Sequence, residues 1–77
     1  MAHRTALWTR DLIQRRRALH SRIDGIARAN PAEAARTRLA LYSAIHDFDQ
    51  GTTDAASLAD EFDLLDVDLD TLTTAAA

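Results

Sequence analysis

The 77-residue chain has no cysteine, no lysine, one proline, two glycines and a single tryptophan. Without cysteine there is neither a disulfide staple nor a thiolate metal site. So few turn formers exclude a many-stranded sheet. No apolar run approaches the ~20 residues that cross a bilayer. The arginine-bearing start also lacks the apolar stretch of a secretory signal. Membrane insertion and export are therefore not expected, and the cytoplasm is the default location. Serine occurs only at positions 21, 43 and 57, and histidine only at 3, 20 and 46.

Alanine, leucine and arginine, all good helix formers, are abundant instead. The fold class expected is all-α. The apolar content of 47% overstates the core, because 16 of those residues are alanine and only 20 are larger. At this length residues 1–77 make one small helical domain at most. A core this thin contributes roughly 3–5 kcal/mol, so close helix packing, self-association or a partner has to supply the remainder.

Charge is segregated along the chain. Residues 1–38 hold all nine arginines against Asp11, Asp24 and Glu33, a net +6, whereas residues 39–77 hold nine acids and no arginine, a net −9. Such asymmetry implies either a basic arm for nucleic acid or two halves that attract one another.

Three helices are expected, over about residues 5–29, 31–50 and 54–73, with 73–77 a frayed tail. In the first, Trp8, Leu12, Leu19, Ile23 and Ile26 recur at spacings of 4, 7, 4 and 3, one stripe at the helical period. Gly25 near its end weakens the last turn. The second opens on Asn30-Pro31-Ala32-Glu33: an amide cap, a proline where the missing N–H is harmless, and a glutamate able to reach back. Ala34, Leu41, Ile45 and Phe48 share its inner face with Tyr42 at the shoulder, and Gly51 stops it. In the third, capped by Thr53 or Asp54, Ala55, Leu58, Phe62, Leu65, Leu69 and Leu72 are spaced 3, 4, 3, 4, 3, a heptad seam that leaves Leu64 and Val67 outside it. Alternation over residues 66–70 also permits an extended segment there, although the helix is preferred. Short connections make neighbours antiparallel. The architecture is an up-down-up three-helix bundle, or a helical hairpin plus third helix that dimerises.

The Arg15-Arg16-Arg17 run does not form one patch on a helix. Arg4, Arg15 and Arg22 flank the apolar stripe, where their stems cover the core and their heads can meet carboxylates. Arg10, Arg17 and Arg28 fall on the opposite side, the placement that phosphate contacts require. A helix-turn-helix reading of the third helix fails because Asp66, Asp68 and Asp70 would face DNA phosphates. The same three acids imitate the start of a calcium loop, but Thr71 replaces its glycine and Ala77 its bidentate glutamate. No metal site and no cofactor are expected. His46-Asp47 and His20-Ser21 are adjacent pairs, which diverge on a helix, and three thin helices leave little room for a ligand pocket of ~300 Å³. An enzyme is not expected.

Residues 62–69 resemble the recognition stretch in leader peptides of ribosomally made, modified natural products. Residues 71–77 lack the cysteine or serine of a modifiable core, so the resemblance carries no further. What remains is a segment suited to docking in a basic, apolar groove of another protein. Its candidate anchors are Phe62, Leu64, Leu65, Val67 and Leu69, steered by Asp63, Asp66, Asp68 and Asp70. The function expected is a non-enzymatic protein-interaction module that regulates a larger partner, in the manner of antitoxins, anti-repressors or phage modulators. The competing readings are nucleic-acid binding through Arg10, Arg17 and Arg28 with the acidic half as a brake, and a structural homodimer.

Overall fold

The computed structural model describes residues 7–75, with side chains as far as Thr73. It contains three helices, α1 (Arg10–Ala27), α2 (Pro31–Asp49) and α3 (Ala55–Ala75), and no strand among the described residues. Every pair of helices is in contact. The result is a rod of 50 × 20 × 15 Å with a radius of gyration of 13.4 Å. That radius exceeds the roughly 11–12 Å of a compact chain this long, because the helices lie alongside one another.

Each helix begins on a side-chain cap. Thr9, extended at φ −80° and ψ 161°, accepts from the Leu12 amide through Oγ1 at 3.1 Å and fixes the start of α1. The helix thus begins five residues later than the periodicity suggests. Trp8 continues the apolar spacing from outside the helix: its ring packs edge-on against Phe48 at 5.0 Å, and its Nε1 donates to Asp49 at 2.7 Å. Asn30 caps α2 as expected, accepting from the Glu33 amide at 3.4 Å. The Glu33 carboxylate does not reach back, because Arg36 one turn on donates to it at 3.1 Å. Asp54 caps α3 by accepting from the Ser57 amide at 2.8 Å.

The α2 terminus is a Schellman turn. Gly51 takes φ 78°, its amide donates to the Phe48 carbonyl at 3.0 Å, and the Thr52 amide donates to that of Asp47 at 2.9 Å. At the other ends α1 stops at Ala27, two residues short of expectation, and α3 has no extended segment at 66–70 and stays helical through Ala75, two residues into the stretch expected to be a frayed tail. Thr5 as a helix start, Arg4 as a flanking cation, His3, and the tail at Ala76 and Ala77 lie outside the described residues.

Leu12, Leu19 and Ile23 of α1 meet Ala34, Leu41, Ala44, Ile45 and Phe48 of α2 and Leu58, Phe62, Leu65 and Leu69 of α3 in one core. Phe62, Ile23, Leu41 and Leu69 are wholly shielded from solvent. Two ends of the α3 seam depart from the heptad reading: Ala55, in the first turn, is exposed, and Leu72, in the last, is half-buried.

Candidate protein-interaction surface

α1 and α3 run parallel, which lets their opposite charges meet rung by rung. The Arg15 guanidinium pairs with Asp63 and lies 5.7 Å from the centre of the Phe62 ring, covering the core as it does so. Seven residues on, Arg22 donates to Asp66 at 3.0 Å and to Asp70 at 2.6 Å. The hydrogen bond to Asp70 raises the Arg22 pKa above its ordinary value; partial burial opposes this, and Asp66 adds to it. Asp24 of α1 accepts from Arg38 of α2 at 3.1 Å. The two electrical halves of the sequence therefore neutralise one another within a single chain where they touch.

This pairing divides the expected docking residues into three groups. Phe62, Leu65 and Leu69 are core residues, 0%, 5% and 0% exposed, so they are not free to anchor a partner. They occupy the seam, and the same spacing that recommends them as anchors commits them to α1 and α2. Asp63, Asp66 and Asp70 face α1 and are held by Arg15 and Arg22. Leu64 and Val67 stand 61% and 60% exposed, one turn apart on the outward side of α3. Around them Asp60, Glu61 and Asp68 are exposed and carry no ion pair among the described residues. Asp60 and Glu61 join the expected acids here; their phase, away from the α1 side of the helical wheel, is the signal that marks them in the sequence.

The cations of α1 divide in the same way. Arg15 and Arg22 are consumed by α3, whereas Arg10, Arg17 and Arg28 are exposed and unpaired among the described residues. Arg16 lies over the Trp8 ring at 5.1 Å. On the flank of α1 toward α2, where His20 meets Tyr42 at 5.7 Å, an open hollow is lined by Trp8, Ile13, Arg16, Arg17 and His20. Sequence reasoning missed this feature, although Ile13 is an apolar residue out of phase with the stripe. A second trough of about 340 Å³ runs between α2 and α3 past Ala40, Leu65, Asp68 and Leu72. The thin bundle thus holds more concave space than its length suggests, in open surface troughs.

The acids that imitate a calcium loop are dispersed by the helix: Asp66 and Asp70 turn to Arg22, and Asp68 to the α2 side. Among the described residues no group of three metal-capable side chains converges, and no helix is long and apolar enough to cross a membrane. No protein-family model matches the chain, and searches of the curated proteins and of the solved structures find no match.

Proposed function

We propose that this three-helix protein is a non-enzymatic, cytoplasmic interaction module that regulates a larger protein by docking the outward strip of α3 into a basic, apolar groove. The observation that carries this reading is the pair Leu64 and Val67, more than half exposed on a helix whose other large apolar side chains are all wholly or partly buried. Beside them Asp60, Glu61 and Asp68 keep their charge for another molecule, since α1 neutralises only Asp63, Asp66 and Asp70. Unpaired rim charge steers encounter and selects partners, while apolar anchors hold the complex. A protein of this size working by occlusion is comparable to an antitoxin, an anti-repressor or a phage modulator, and that comparison rests on size and chemistry alone.

A photocrosslinking amino acid at position 64, with a control at exposed Leu39 on α2, tests the reading in the native host. The expected result is an adduct at position 64 with a protein whose contacted surface is basic, lost in high salt and absent from the control. Identical adducts from both positions would sink it.

A second reading is favoured by one observation, the unpaired exposure of Arg10, Arg17 and Arg28 along α1. A polyanion binding there would show steep salt dependence with random duplex DNA. Absence of binding at low salt removes this alternative.

A further inference from the structure

The two surfaces left unneutralised are complementary to each other. On α3 a convex apolar pair, Leu64 and Val67, is surrounded by the free carboxylates Asp60, Glu61 and Asp68. On α1 a concave hollow offers the apolar walls of Trp8 and Ile13 with the guanidinium groups of Arg16 and Arg17 beside them. No carboxylate lines that hollow among the described residues, and Asp49, at its Trp8 edge, already accepts from Trp8 Nε1. We propose that the α3 knob of one copy docks into the α1 hollow of a second copy of the same chain, in a heterologous contact. This rests on the reading of the outward α3 strip as a docking surface, which the second copy occupies when the larger partner is absent.

Charge selects this contact over the two that pair like with like. Two α3 strips face to face would set three carboxylates against their own counterparts, and two hollows present cation against cation with nothing to fill either cavity. Only knob to hollow joins unlike charge and convex to concave. A heterologous contact leaves one free knob and one free hollow on every pair, so association continues to a ring or an open chain. Its direction also follows from the bundle. Asp63 lies level with Arg15, so knob and hollow stand at the same height along the rod, and neighbours pack side by side instead of end to end.

Sedimentation of the full chain at low salt tests the proposal. The wild type is expected to rise in mass beyond a dimer between micromolar and millimolar concentration. Leu64→Glu/Val67→Glu, which destroys the knob, and Ile13→Glu/Arg17→Glu, which destroys the hollow, should each remain single chains at concentrations about tenfold higher or more. Their equimolar mixture retains one intact knob and one intact hollow, so it should form a species of two chains and no larger. A wild type that stays monomeric throughout, a mixture that does not associate, or a dimer that survives in either variant alone each overturns the proposal. Should circular dichroism show that the Ile13 double variant does not fold, Arg17→Glu alone, at an exposed unpaired site, takes its place. A monomeric wild type with a specific adduct at position 64 refutes self-docking and leaves the reading of the α3 strip standing; loss of both refutes both.

Discussion

Arg22 bridges two carboxylates of α3 while its own side chain remains about a third exposed, at 35%. Ion pairs this wet contribute only about 0–1 kcal/mol, so Arg22→Met, which keeps the apolar stem, should cost no more than about 1 kcal/mol in urea denaturation, and less in high salt. Because the Arg22 pKa is raised in the folded state, the contribution is complete at neutral pH and is lost only as pH climbs past that strongly alkaline value. Packing decides much more. Phe62 is wholly buried, so Phe62→Ala should cost about 3–5 kcal/mol and leave so small a domain largely unfolded. Leu64→Ala, two residues on at 61% exposure, should stay within about 0.5 kcal/mol by the same measurement. The sequence distinguishes these two leucine-rich sets by phase: positions 58, 62, 65 and 69 keep the seam and positions 64 and 67 leave it. It does not distinguish an anchor from a core residue, and Phe62, Leu65 and Leu69 fit both roles by spacing alone.

At the scale of the helices, what is legible depends on whether the signal is a cap or a period. α2 has a strong cap at Asn30-Pro31 and a strong stop at Gly51, and its ends fall within a residue of expectation. α1 is shorter than its periodicity predicts because Trp8 keeps the apolar spacing, although it packs on Phe48 from an extended segment that Thr9 closes off. The two glycines make opposite predictions. Gly51 occupies the left-handed region at φ 78°, so Gly51→Ala should cost about 1 kcal/mol and loosen the α2–α3 turn. Gly25 sits inside α1, and a Cβ added there meets nothing within 4 Å. Gly25→Ala should therefore stabilise the protein by up to about 1 kcal/mol, read as a higher thermal midpoint. A lower midpoint would mean that α1 needs its flexibility at that point.

As a whole the molecule is a slender rod whose charges cancel between α1 and α3 and survive on the faces turned away. The segregation of +6 and −9 is plain in the sequence, but which members of each half remain free depends on helix rotation, a property that composition does not contain. X-ray scattering on the Leu64→Glu/Val67→Glu variant should return a radius of gyration close to 13.4 Å plus hydration, with a maximum dimension near 50 Å. A markedly larger radius would show that the acidic helix has come away from the basic one. Arg15 and Arg22 are separated by the same seven residues as Asp63 and Asp70, so α1 and α3 act as matched scales of a vernier. Lengthening the turn between Asp49 and Ala55 leaves both marks aligned. One extra residue inserted between positions 63 and 70 swings everything after it by about 100° and throws Asp70 and Leu69 off their marks together. Inheritance can therefore vary the hinge of this protein freely, but α1 and α3 can change length only in step.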